Sequence, residues 1–345
     1  MKIRLFCMAL CLCVFTACEK DEPIIPDEPT VPPTEQPEQP EEPETPVEPD
    51  EPDTPAEPEE PQEPISTDGI INWNNEFIIV GDNNNMATVG NGTWYSVCYG
   101  DGKYVAVGFS SSYGNNVAYS TDGVNWETTR IEAPSQFGQV IYGNGKYVAV
   151  GGNGEVASST DGVNWTITKI EKIGALYGVI YANGKYVAVS GAGYIAYSTD
   201  GVNWGTTKVE NISAFDCVTY GNGKYVAVGY SYSGGYIPKV ASSTDGVNWT
   251  SAEEINGSTQ FNGVIYANGK YVAVGRNGYI AYSTDGVNWG TTKVENIIWN
   301  DVIYDGVKFV VVGAQGSIAS STDGVNWVYT QLPSTSNLQG ICPVQ

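Results

Sequence analysis

The chain has 345 residues, room for one large domain or two small ones, and a formal net charge of −23. It contains no histidine, which excludes histidine metal ligands and histidine general bases, and with them most serine and cysteine hydrolase mechanisms. The acidity is uneven: residues 19–66 hold eighteen acids and one lysine, whereas residues 69–345 hold twenty acids and thirteen bases. Neither part has the basic footprint of a nucleic-acid binder, so no nucleic-acid partner is expected.

At the N-terminus, Lys2 and Arg4 precede an apolar run over 5–15. That run is about half of the ~20 residues needed to cross a bilayer, so residues 1–17 read as a secretory signal peptide. The run ends in Phe15-Thr16-Ala17-Cys18, which resembles the lipobox of bacterial lipoproteins, with phenylalanine where leucine is usual. The resemblance implies that Cys18 is acylated and becomes the first mature residue, anchoring the chain to the outer membrane; two or more acyl chains give stable anchoring. Next come Glu19-Lys20-Asp21-Glu22, similar to the surface-export signal of Bacteroidetes lipoproteins, which implies placement facing the cell exterior. Residues 18–68 then form an acidic linker, with fifteen of the nineteen prolines between 21 and 64. Such a composition cannot bury a core and favours extended polyproline II, so the linker is expected to be a disordered stalk reaching on the order of 150 Å.

Beyond residue 69 the chain repeats. The heptapeptide Ser-Thr-Asp-Gly-Val-Asn-Trp recurs six times unchanged, centred on Asp122, Asp161, Asp200, Asp245, Asp285 and Asp323. The spacings are 39, 39, 45, 40 and 38, so residues 69–345 hold about seven units. Within the unit that starts at Phe261, tight-turn pairs Asn-Gly, Asn-Gly and Asp-Gly separate β-rich runs, predicting strands over 264–266, 271–274, 279–283 and 289–294. Four short antiparallel strands repeated every forty residues or so predict an all-β fold, a β-propeller over 69–345. The stretches 69–73 and 77–81 parallel the first and second strands of that unit, with 86–89 in third place, and Leu338-Gln339-Gly340-Ile341-Cys342 resembles the opening of a further blade. The expectation is therefore seven blades, the first a composite of both termini with the C-terminus supplying its innermost strand. A six-bladed ring with ragged ends is the alternative. Closure removes exposed sheet edges, and the expected assembly state is a monomer.

Ser-x-Asp-Gly-x-x-Trp is similar to the Asp box of bacterial neuraminidases and other propellers, shortened by one residue between Asp and Gly. Its chemistry reads as structural. Asp-Gly turns the hairpin between third and fourth strands, the carboxylate and serine hydroxyl accept backbone N–H groups across the turn, and Trp126, Trp165, Trp204, Trp249, Trp289 and Trp327 wedge against neighbouring blades. One carboxylate per turn falls short of the 6–8 oxygens calcium takes, so no metal is expected. The remaining cysteines, Cys98, Cys217 and Cys342, are far apart and suggest neither a disulfide framework nor a zinc site; no cofactor is expected.

Likeness to neuraminidases implies an arginine triad, yet the chain after the signal peptide has only Arg130 and Arg276, which excludes a sialidase. A glycoside hydrolase using two carboxylates remains an alternative, with Asp216 and Asp301 as the departures from the repeat. The favoured reading is non-catalytic binding of an extracellular glycan or protein. The connection between second and third strands grows in two units, over 109–116 with Tyr113 and over 230–239 with Tyr230, Tyr232 and Tyr236. Tyr, Ser, Gly and Asn give binding loops adaptable contact at low entropic cost. These loops share a face, opposite the Asp boxes, with the connections that hold Asp216, Trp299 and Asp301, which completes the candidate ligand-binding set. A scaffold for envelope protein assembly is the third reading.

Overall fold

The structure, a computed structural model, describes residues 65–67, 70–73, 77–83, 92–110, 114–250, 253–255, 260–332 and 336–344. The signal peptide, Cys18, nearly all of the linker, the expected strand 86–89 and Tyr113 lie outside the described residues.

The repeat that starts at Phe261 folds into strands Phe261–Ala267, Lys270–Gly275, Tyr279–Ser283 and Gly290–Lys293, each hydrogen-bonded antiparallel to the next. The second strand is continuous in apolar residues because both its faces are covered: Tyr271, Val272, Ala273 and Val274 are all fully buried. The outer strand carries Gly-Thr-Thr-Lys and stays partly open to solvent. Six blades of this form are made from continuous chain: blade I (92–131), II (137–169), III (176–208), IV (214–254), V (261–293) and VI (299–331). The fold is thus an all-β propeller of four-stranded antiparallel blades.

Three devices lock neighbouring blades. In blades I to V the lysine that opens the second strand donates from Nζ to the Asp-box main-chain carbonyl of the following blade, as in Lys103 to Asp161, Lys146 to Asp200 and Lys270 to Asp323, at 2.6–3.0 Å. The adjacent tyrosine donates backwards to the first turn of the preceding blade, as in Tyr186 to Gly143 at 2.6 Å and Tyr225 to Ala182 at 2.7 Å. The Asp-box glycines fit against the preceding blade, where a Cβ on Gly286 would lie 3.0 Å from Val226. The box tryptophans Trp126, Trp204, Trp249, Trp289 and Trp327 lie 6.2–6.5 Å between ring centroids from Tyr104, Tyr186, Tyr225, Tyr271 and Phe309 of their own blade.

Among the described residues four terminal strands remain. Leu338–Pro343 lies against the inner strands of blades VI and I and pairs with Phe77–Asn83. Its register, Leu338↔Gly81 and then Gly340↔Val80 across a bulge, repeats Phe261↔Gly275 and Gly263↔Val274 of blade V. Phe77–Asn83 therefore holds second place. The strand Ile70–Trp73, expected in first place, pairs with the other edge of Phe77–Asn83 and so stands third, followed by Ile65–Thr67. The reason is steric order: with the C-terminal strand on the inner edge, a short hairpin can add only to the outer one. The end of Phe77–Asn83 also pairs with blade I, Asp82 opposite Thr93.

Candidate functional site

The Asp boxes form closed hydrogen-bond units. In blade V, Asp285 Oδ1 accepts the N–H groups of Val287 and Asn288 at 2.8 Å, and Oδ2 accepts Asn288 Nδ2 at 2.8 Å. Ser283 Oγ accepts the N–H of Gly286 at 2.9 Å and donates to Asp285 Oδ1 at 3.0 Å. The Asn288 N–H groups hold the Asp285 carboxyl well below the usual carboxylate range, and Asp122, Asp161, Asp200, Asp245 and Asp323 are depressed by the same kind of bonds. Each carboxylate is occupied by its own turn. Among the described residues, no group of three acids or cysteines gathers as a metal site.

The opposite rim differs from blade to blade. In blades II, V and VI the second and third strands join through a three-residue 3-10 turn, Gly152–Gly154, Arg276–Gly278 or Ala314–Gly316. In blade IV the strands themselves continue, Lys224–Tyr232 and Tyr236–Ser243, with Tyr230↔Pro238, Ser231↔Ile237 and Tyr232↔Tyr236 in register. The expected loop is thus a β-tongue, extended beyond the blade V ladder by four residue pairs, Gly229↔Lys239 to Tyr232↔Tyr236, or about 13 Å at the strand rise. Aromatic and polar residues alternate on the first limb, Tyr230-Ser231-Tyr232, and across the strands Tyr230 faces Pro238 and Tyr232 faces Tyr236. Blade I extends similarly, to Ser110↔Gly114.

Strand alternation gives the tongue two faces. Tyr230, Tyr232 and Tyr236 share one, with ring centroids 4.9 Å apart for Tyr230–Tyr236 and 5.4 Å for Tyr232–Tyr236, both edge-to-face. Tyr232 is 62% exposed and Tyr236 is 43% exposed. Ser231 and Lys239 belong to the other face, which closes a groove of about 390 Å³ against Lys208 at the end of blade III and Glu210, Asn211 and Ser213 of the connection to blade IV. Ser213 ties the tongue down: its N–H donates to the Tyr230 carbonyl at 2.9 Å, and its Oγ accepts the Tyr232 N–H at 3.0 Å. Ser213, Lys208 and Glu210 escaped the sequence reading. The period-two alternation of Tyr230-Ser231-Tyr232 was the signal for a tongue with a second face.

The other candidates are not with the tyrosines on the surface. Trp299 is fully buried, its Nε1 donating to the Val294 carbonyl at 3.2 Å. Asp216 and Asp301 are buried at the starts of inner strands, which neighbouring blades cover. Asp301 Oδ1 accepts the Val302 N–H at 2.8 Å, and Oδ2 accepts the Ile341 N–H of the C-terminal strand at 3.1 Å. Burial pushes its carboxyl well above the usual range, with these N–H groups pulling the other way. Asp216 is pushed up to about 8 by burial, opposed by the Gln260 hydrogen bond and the charge of Arg276.

No protein-family model and no curated protein matches the sequence. Among solved structures the chain is similar to YCF48 bound to D1 peptide, with TM-score 0.58 and 18% identity over 80% of this chain and 96% of that one. It is similar to YCF48 from Cyanidioschyzon merolae, with TM-score 0.53 and 17% identity over 73% of this chain and 88% of that one. The WD40 beta propeller domain of Doa1 gives TM-score 0.59 and 10% identity over 74% of this chain and 88% of that one. At such identities the likeness establishes one thing, the propeller fold.

Proposed function

We propose that this chain is a non-catalytic binding propeller that grips a protein or peptide partner through the rim opposite the Asp boxes, with the blade IV tongue as its anchor. The observation that carries the reading is the pair of exposed rings, Tyr232 and Tyr236, held edge-to-face on a laddered hairpin. Large aromatic groups on a rigid support lose little entropy on binding and are the residue type that dominates interface energetics. A similar propeller carries a bound peptide, which weighs the partner class toward protein, with glycan as the second class. Burial of both Asp216 and Asp301 argues against a hydrolase on this face, because a substrate must reach two carboxylates there.

The reading includes placement. Cys18 is the acylation site of an outer-membrane lipoprotein, residues 19–64 are the stalk, and the monomeric propeller faces the cell exterior. It also includes ring closure by a seventh blade, Leu338–Pro343, Phe77–Asn83, Ile70–Trp73 and Ile65–Thr67 from inside outwards, supported by their pairing and by the contacts of the C-terminal strand.

The test is capture from envelope and extracellular fractions by the full chain and by a Tyr232→Ala, Tyr236→Ala variant, beside a glycan array probed with both. A protein retained by the wild type and lost by the variant supports the proposal. Binding confined to glycans transfers the site to that class, and stoichiometric capture indifferent to the tyrosines favours an assembly scaffold using another surface. Polysaccharide cleavage that vanishes in Asp216→Asn or Asp301→Asn would overturn the non-catalytic reading.

A further inference from the structure

Every inner strand begins with a bulge, where one residue is left out of the ladder. In consecutive blades IV, V and VI that residue is Asp216, Asn262 and Asn300. Both asparagines are buried and act as clasps between blades. Asn262 Nδ2 donates to the Trp299 carbonyl of blade VI at 2.8 Å, and Asn300 Nδ2 donates to the Leu338 carbonyl of the C-terminal strand at 2.8 Å. Each bond runs to the carbonyl that opens the bulge of the next inner strand.

Asp216 occupies this place at the seam between blades IV and V, where the corresponding carbonyl belongs to Phe261. An ionised carboxylate only accepts hydrogen bonds and would oppose a carbonyl there. Asp216 Oδ1 accepts from Gln260 Nε2 at 3.0 Å, while Oδ2 is buried with no hydrogen-bond partner. Asp301 differs, since both of its oxygens accept main-chain N–H groups. We infer that Asp216 is a neutral carboxylic acid whose Oδ2–H donates across the seam to the Phe261 carbonyl, so that a proton makes the inter-blade clasp that an amide makes in blades V and VI.

Three groups bear on Asp216: Gln260, which precedes the blade V inner strand, Arg276 of the blade V turn, and Tyr177 of the blade III inner strand. Gln260 and Arg276 favour the charged form, but burial outweighs them and pushes the carboxyl up to about 8. Tyr177 is raised by its own burial and then by Asp216, so ionising both is mutually unfavourable. The sign follows. The folded state keeps a proton that the unfolded chain releases in the ordinary carboxyl range, so this group's contribution to stability falls as pH rises from about 4 to about 8 and is level above that.

Asparagine supplies the same donor without titrating, so Asp216→Asn should fold and should tighten the seam at alkaline pH. Thermal unfolding of the full chain is expected to give nearly equal midpoints for wild type and Asp216→Asn at pH 5, and a midpoint several degrees higher for the variant at pH 8.5. In infrared difference spectra at pH 6.5, wild type should show a protonated-carboxyl band that the variant lacks. A variant less stable than wild type at pH 8.5, failure of the variant to fold, or absence of that band would each overturn the inference in favour of an ionised Asp216 held by Arg276. None of these readouts depends on the tongue or its partner.

Discussion

Blades IV and V share one sequence pattern, and the connection between their second and third strands takes two different forms. In blade V the second strand ends in the Arg276–Gly278 turn, where Asn277 and Gly278 take φ of 57° and 78°. This turn is part of the frame: the Gly278 N–H donates to the Ile297 carbonyl at 2.7 Å, and its carbonyl accepts the Val294 N–H at 2.8 Å. A Cβ on Gly278 would lie 1.7 Å from the Glu295 carbonyl oxygen. In blade IV the same connection leaves the frame as a hairpin, tied to blade packing through Ser213 and presenting two exposed rings. One position in the repeat can thus hold blades together or present groups to a partner, and local backbone contact decides which.

The largest expected effect falls on the frame side of this comparison. Gly278→Ala combines left-handed backbone strain with a main-chain clash and should destabilise by on the order of 3 kcal/mol, read as a drop in the unfolding midpoint. Gly154, with a Cβ site 2.2 Å from the Ile170 carbonyl oxygen, should behave alike. On the presenting side, Tyr232→Ala with Tyr236→Ala should weaken capture of a protein partner by about tenfold or more, roughly 1.4 kcal/mol, measured by titration with the captured protein. The same pair should alter stability by no more than about 0.5 kcal/mol, since neither ring is buried. A double variant that binds normally, or that unfolds as early as Gly278→Ala, would erase the distinction.

Much of this frame was legible in the chain. Strands expected at 264–266, 271–274, 279–283 and 289–294 occur as Phe261–Ala267, Lys270–Gly275, Tyr279–Ser283 and Gly290–Lys293, because Asn-Gly and Asp-Gly turns punctuate short β-rich runs. Less legible was anything decided by a neighbouring blade. Asp216, Asp301 and Trp299 look like exposed loop residues in a linear reading, yet bulges turn them into seams covered by residues some forty positions away. The place of Ile70–Trp73 depended on a strand at the other end of the chain. Tyr230, Tyr232 and Tyr236 are candidates from composition, but their common face follows from register, which composition does not carry.

Ser213 joins the two sides of the comparison, and its removal should have an intermediate effect. Ser213→Ala deletes the acceptor for the Tyr232 N–H while leaving the main-chain bond to Tyr230, so about 1 kcal/mol is expected. The loss should be confined to the tongue, with faster amide exchange at Tyr232 and unchanged exchange at Val226. Protection lost throughout blade IV would mean that the tongue belongs to the frame after all.

The smallest effect is the sharpest probe of the hairpin tip. Gly234 has φ of 74°, a left-handed conformation, and a Cβ there meets nothing within 4 Å. Gly235 is equally open, and its φ lies outside the left-handed range. Steric crowding is therefore absent at both, and backbone conformation alone separates them. Gly234→Ala should cost about 1 kcal/mol, whereas Gly235→Ala should be neutral or stabilise by about 0.5 kcal/mol by restricting the unfolded chain. Equal values for the two neighbours would show a tip that samples many conformations, and the rings would then lose the rigid support that makes them an anchor.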